Sequence, residues 1–197
     1  MTQNTNPTQT QKEKINSFIS LALDFNKTHN IFARKSADEV FEKDINDCKP
    51  LIKMIPNGKS ILDLGSGGGF PGIPISIARP KNKIFLLEGS RKKCYFLKKV
   101  VEELQLTNTT VLNKLITKEN NIGTFDIITA RAFATIEKIA KLTQNNTNKK
   151  TKLILLKGKK EKIQEELSLL DQKKFKYEII KQNNKKLERN IVVIEYE

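Results

Sequence analysis

A chain of 197 residues with 36 Lys and Arg against 22 Asp and Glu, for a formal charge of +14, has room for one α/β domain with a real core and a small appendage. No stretch approaches 18 apolar residues and the N-terminus is polar, which argues against a membrane helix or secretory signal and for the cytoplasm. Two cysteines and one histidine, with no CxxC or other ligand spacing, argue against a metal site and for a reducing compartment.

Residues 1–10 are expected to be disordered. From Gln11 to about Pro56 the spacing is helical, with Ile15, Phe18, Ile19, Ala22 and Phe25 three and four residues apart. This predicts an N-terminal helical cap over residues 11–56, ahead of a main domain over 57–197. The period then changes. Apolar runs at Ile61–Leu64, Ile84–Leu87, Thr110–Leu112, Phe125–Thr129 and Leu153–Leu156 read as buried strands. They alternate with helical stretches at Ile73–Ala78, Arg91–Leu104, Thr135–Thr143 and Glu161–Leu170, and Cys94, Leu97, Val101 and Leu104 form one helical stripe. Such alternation predicts a parallel sheet covered on both faces. Phe175–Ile180 and Asn190–Tyr196 read as two last strands, joined across the polar Gln182–Glu188 stretch as a hairpin at the sheet edge.

The turn after the first strand is the richest in chemical content. Asp63 to Gly72 reads D-L-G-S-G-G-G-F-P-G, which places Gly65, Gly67, Gly68 and Gly69 between a strand and a helix. Glycines there let a ligand lie directly on main-chain N–H groups. Gly67, Gly69 and Gly72 satisfy the dinucleotide pattern GxGxxG, but such a match alone is weak. Asp63, two residues before Gly65, favours the D-x-G-x-G-x-G arrangement that holds S-adenosylmethionine (SAM). Glu88, about 20 residues on at the end of the second strand, suits a ribose diol of either SAM or NAD. Length favours SAM, because a dehydrogenase would need a substrate domain; NAD and a vestigial fold stand as lesser alternatives. After the third strand, Ile116 and Thr117 are the candidates to meet the adenine ring, one by apolar contact and one by an N–H or hydroxyl.

The run D-L-G-S-G-G-G-F-P-G-I-P-I-S-I, then L-L-E with K-K-C-Y-F-L, F-D-I-I-T-A-R-A-F-A, L-L-K-G and E-R-N-I-V-V-I, resembles one family from about residue 15 to 196. It is similar to the bacterial small-subunit rRNA guanine-N7 methyltransferases, formerly called glucose-inhibited division protein B. The resemblance implies a Rossmann-like SAM-dependent methyltransferase with a seven-stranded, mostly parallel sheet, helices on both faces and an N-terminal helical cap. It implies methyl transfer to guanine N7 in the 530 loop of 16S rRNA (position 527 in conventional rRNA numbering). Carried over by position, cofactor contacts fall on Gly65, Phe70, Ile116, Thr117 and Arg131, joining Gly67 and Glu88 from the loop argument. RNA contacts fall on Lys35, Lys92, Lys93, Arg131, Lys157 and Arg189. The chain departs from the family pattern at Asp44-Ile45-Asn46-Asp47-Cys48, where H-I-L-D-S is common, and at Phe32 and Asn190.

The positive charge suits an RNA partner, either 16S rRNA or a 30S particle. Lysine supplies most of it in a chain also rich in Asn and Ile, so the five arginines, Arg34, Arg79, Arg91, Arg131 and Arg189, are the more telling cations. Arg131 is the first candidate for the chemistry, expected just after the fourth strand at the carboxyl edge of the sheet. Phe70 and Phe133 could stack on a base or simply pack the sheet edge. Cys48 and Cys94 read as core residues and His29 as a helix-end residue. The protein is expected to act as a monomer without a metal. Two alternatives stand: the same fold methylating another substrate, or a non-catalytic RNA-binding assembly protein.

Overall fold

Runs of Ile, Leu and Val form seven strands among the described residues, which in this computed structural model are 7–182 and 188–197. Residues 1–6 of the expected disordered start, and 183–187 of the polar connector, lie outside them. The strands are β1 (Ser60–Leu64), β2 (Lys83–Glu88), β3 (Thr109–Asn113), β4 (Ile127–Arg131), β5 (Lys152–Lys157), β6 (Phe175–Lys181) and β7 (Asn190–Tyr196). They make one sheet in the order β3-β2-β1-β4-β5-β7-β6. Strands β1 to β5 run parallel, and β7 enters antiparallel between β5 and β6. The strand order reverses at β1, which has β2 on one side and β4 on the other, and a crevice opens there at the carboxyl ends.

Side chains alternate across the sheet and so feed two cores. Ile61, Ile84, Leu86, Ile127 and Ile154 face one core. There they meet α1 (Gln9–His29), α3 (Asn46–Met54), α4 (Gly72–Ala78) and α5 (Arg91–Glu103) through Phe18, Leu51, Ile73 and Leu97. Leu62, Leu64, Ile128, Leu153 and Leu155 face the other, under α6 (Ile136–Thr143) and α7 (Lys160–Ser168). Each fully buried Leu, Ile or Phe contributes roughly 1.5–3 kcal/mol. The helical cap therefore shares its core with the sheet.

Two boundaries and one helix face differ from the sequence expectation. Helix α1 begins at Gln9, two residues inside the segment expected to be disordered. Thr8 accepts from the Gln11 N–H at 3.2 Å while the Gln11 side chain accepts from the Thr8 N–H at 2.9 Å, a reciprocal cap that starts the helix early. In α5 the buried residues are Cys94, Phe96, Leu97 and Val100, with Val101 only packed against them. Strand β4 is two residues later than Phe125–Thr129. Asp126 accepts from the Ser60 N–H at 2.8 Å and hydroxyl at 2.9 Å, which pins the chain ahead of the ladder. Pairing starts with Ile61 and Ile127 and ends with Arg131 and Leu156. Arg131 is thus the last residue of the strand and does not follow it.

Between α2 (Ala37–Val40) and α3 the chain makes one π-helical turn, Phe41–Ile45. Asp44 lies in that turn and Asp47 in the first turn of α3, and both are buried. Wide turns of this kind recur at functional sites. Among the described residues no helix is long and apolar enough to cross a membrane.

Candidate active site

The glycine loop folds back over the end of β2. The N–H groups of Gly65 and Ser66 both donate to the Leu87 carbonyl, at 2.8 and 3.1 Å. Asp63, fully buried, points one oxygen at the start of α4, where it accepts from the Gly72 N–H at 3.1 Å. A Cβ on Gly72 would lie 2.6 Å from that oxygen, so only glycine permits the approach. The other Asp63 oxygen is buried with no hydrogen-bond partner. Burial pushes the carboxyl up to about 7, against the pull of its hydrogen bonds. Asp63 thus fastens the loop to α4 from beneath.

Glu88 ties the loop to the next turn. One carboxylate oxygen accepts from the Gly67 N–H at 2.9 Å and the other from the Ser90 N–H at 2.8 Å. A carboxylate offers about four lone-pair positions, which leaves acceptor capacity for a ligand. Glu88 borders a cavity of about 340 Å³ that also takes in Gly65, Lys93, Leu115, Ile116 and Phe133. This combination fits an adenosyl cofactor. It has Gly65, whose nearest cover is the Phe133 ring edge, an acid at the ribose position and apolar side chains after β3. Its size lies at the lower end for small-molecule sites.

A second cavity of about 530 Å³ adjoins the first, at the ends of β4 and β5, and Ala132 and Phe133 border both. Six cations line it, Arg34, Arg131, Lys157, Lys159, Lys162 and Arg189, against the acids Asp47 and Glu166. The arginines are held from behind by the helical cap. Asp44, 2% exposed, receives Arg34 at 2.9 and 3.2 Å and Arg131 at 2.7 Å. Asp47 forms looser ion pairs, 3.5 Å from Arg189 and 4.0 Å from Arg131. Burial raises the Asp47 carboxyl, opposed by Arg189 and Arg131. The Arg131 guanidinium also lies 4.9 Å over the Phe70 ring. Three of the five arginines thus converge on one cavity, where phosphate or a purine edge would find fixed donors. Arg79 instead donates to the Ile52 and Ile55 carbonyls at the end of α3.

The structure sorts the sequence candidates. Gly65, Glu88, Ile116 and Lys93 meet at the first cavity, Arg131, Lys157 and Arg189 at the second. Gly67 is not on the cavity lining and acts through Glu88. Phe70 is buried and packs on Phe18 at 5.0 Å between ring centroids; its ring lies under the Arg131 guanidinium and is not on the lining of the first cavity. Thr117 lies outside that cavity, with its N–H donating to Asn120 and its hydroxyl accepting from Asn120. Lys35 is exposed outside the basic cavity, and its neighbour Arg34 takes that place. Lys92 donates to the His29 carbonyl at 2.7 Å and clasps α5 to α1. The Lys157 ammonium is committed to Glu166 at 2.6 Å and to the Ala134 carbonyl at 2.8 Å.

Sequence reasoning missed Asp44, Asp47, Lys159 and Lys162. The one signal for the acids was their i, i+3 spacing, which puts both on one helical face. The thiols of Cys48 and Cys94 are pushed up by burial, as core residues should be.

The model of the family described as rRNA small subunit methyltransferase G matches residues 11–193. A protein of Brachyspira hyodysenteriae named Ribosomal RNA small subunit methyltransferase G is 39% identical over 190 residues, 94% of this chain and 91% of its own. A protein of the same name from Chromobacterium violaceum is 34% identical, covering 77% of this chain and 72% of its own. A solved structure titled as a SAM dependent methyltransferase from Aquifex aeolicus superposes with a TM-score of 0.63 at 18% identity, covering 80% of this chain and 93% of that one. A ribosomal protein L11 methylase from Lactobacillus delbrueckii subsp. bulgaricus gives 0.62 at 14% identity, covering 84% and 81%. These two likenesses show the shared fold.

Proposed function

This chain belongs to the rRNA small subunit methyltransferase G family, and we propose that it transfers a methyl group from SAM to N7 of a guanine in 16S rRNA, at position 527 of the 530 loop. Family membership makes it a SAM-dependent methyltransferase with an RNA substrate. The observation that carries the reading is the shared wall at Ala132–Phe133, where a cavity suited to adenosyl binding meets one ringed by arginines.

When bound, SAM supplies a methyl group activated by its sulfonium. Guanine N7 has an in-plane lone pair and no proton, so the residues need not include a general base. Their task is to hold N7 in line with the methyl group, and orientation of this kind can lower a barrier by about 7 kcal/mol or more. The base would take on positive charge on receiving the methyl group, so the residues around it need not supply a proton acceptor. Arg131 must leave N7 free, so its fork suits O6 or a neighbouring phosphate. Arg34 and Arg189, on the same acids, would grip the RNA backbone. Such an enzyme works in the cytoplasm on 16S rRNA or an assembling 30S particle, as a monomer and without a metal.

Borohydride–aniline treatment cleaves RNA at N7-methylguanine. Total 16S rRNA from cells with the gene should be cut in the 530 loop and that from cells lacking it should not; equal cleavage in both would overturn the proposal. Tritiated SAM supplied with purified protein and either naked 16S rRNA or 30S particles then identifies the substrate form.

A further inference from the structure

Phe133 packs against the backbone of Gly65, on the wall of the cavity that Glu88 borders. Its Cδ2 lies 2.5 Å from where a Cβ on Gly65 would stand, with Cε2 at 3.1 Å and Cγ at 3.4 Å. The ring edge therefore rests on the Gly65 Cα, inside the space that a missing side chain keeps open. Yet Phe133 is no core residue. It stands in neither buried cluster, and 36% of it is exposed. Ala132, which connects it to Arg131, has φ +52°, a left-handed conformation that an L-residue holds only where its surroundings impose it. That kink, placed directly after the last strand residue, turns the Phe133 ring back over the glycine loop. The same ring borders the basic cavity.

We propose that Phe133 is a movable partition between the two cavities. Against Gly65 it closes the cofactor cavity from the RNA side. The methionine end of SAM, in lying on the Gly65 backbone, displaces the ring towards the basic cavity. There its face becomes the wall on which the target guanine packs, since aromatic faces stack on bases. Phe133 is thus a positioning residue that couples the sites: cofactor binding builds part of the base site, so RNA binds more tightly once the cofactor is in place. The same linkage makes each ligand tighten the other. This inference rests on reading the cavity at Gly65 and Glu88 as the cofactor site.

The experiment uses S-adenosylhomocysteine, the unreactive product, as the probe. The chain contains no tryptophan, so Phe133→Trp places a single fluorophore on the partition. Its emission should shift on titration, with the same midpoint as calorimetry on that variant. In Phe133→Ala the competing ring is gone. If the closed position is held nine-tenths of the time in the wild type, affinity for the probe should rise about tenfold. The KM for 16S rRNA should rise in the same variant, and the probe should no longer tighten RNA binding; Phe133→Tyr should restore both. Unchanged Trp emission at calorimetric saturation, or weaker probe binding by a folded Phe133→Ala, would overturn the partition while leaving the cofactor site standing. Failure of the wild-type protein to bind the probe would instead bring down the cofactor reading, and the partition with it.

Discussion

Arg131, the last residue of β4, donates to Asp44 in the helical cap at 2.7 Å, across 87 positions of sequence. The same carboxylate takes Arg34 through two hydrogen bonds. One buried acid therefore fixes two of the three arginines at the mouth of the basic cavity, and it does so from the element least like a catalytic domain.

Removing that acid should loosen the site before it unfolds the protein. Asp44→Ala leaves two partly buried guanidiniums without their carboxylate, and breaking such a pair costs about 3 kcal/mol. Urea titration should show that loss. Methyl transfer to 16S rRNA should fall at least about tenfold in kcat/KM, while S-adenosylhomocysteine affinity by calorimetry stays close to wild type. Asp44→Glu should recover part of the activity. Equal losses in cofactor binding and turnover would show that Asp44 acts on the whole fold.

Arg131 itself should be irreplaceable by lysine. Its guanidinium stacks over Phe70 at 4.9 Å while one nitrogen holds Asp44, and an ammonium cannot do both. Arg131→Ala should abolish methylation with the fold retained, because Asp44 keeps Arg34. Arg131→Lys should lose about a hundredfold in kcat/KM, the scale of a misplaced reactant. Near-normal single-turnover rates in either variant would remove Arg131 from the reaction.

Gly65→Val tests the glycine loop. Gly65 has φ +64°, so valine brings backbone strain, and its side chain fills the space where the Phe133 ring now lies 2.5 Å from the Cβ position and which the cofactor would need. Cofactor binding should vanish in equilibrium dialysis with labelled SAM. Unchanged affinity would mean that the cofactor lies elsewhere.

Asp63 should leave a signature in the pH dependence of stability. Its carboxyl rises from an ordinary 3.8 to about 7 on folding. A raised acid adds stability that is complete below the unfolded value and lost as pH climbs through the folded one. Relative to Asp63→Asn, the wild type should therefore lose up to about 4 kcal/mol between about pH 4 and pH 7.5, because each pH unit in that window costs roughly 1.4 kcal/mol. Urea melts of both proteins at several pH values measure the difference. A constant gap across that range would show that Asp63 is not protonated in the folded protein.

The β1–loop–α4 unit was legible because its signals are local. Strand, glycines and helix follow one another along a short stretch of chain, and Asp63 bonds Gly72 only nine positions away. Glu88 was legible for the same reason, as the end of the next strand. Thr117 was placed after β3 by the same reading, and its N–H and hydroxyl pair there with Asn120. What was not legible was that Phe70, set among loop glycines, packs into the core beside Phe18.

By itself, then, the sequence determined the parallel sheet, its covered faces, the glycine cradle and the family resemblance, all of which follow from periodicity and from motifs short enough to read along the chain. Tertiary structure alone decided which cations share a cavity. Arg34, Arg131 and Arg189 are far apart in the chain and meet only because Asp44 and Asp47 lie buried in the cap, where long-range packing places them. Among so many lysines, composition could not distinguish a charge committed internally, such as Lys157 on Glu166, from one held open at the cavity. That difference arises from which carboxylate comes within hydrogen-bonding reach after folding, and chain order does not encode it in any local pattern.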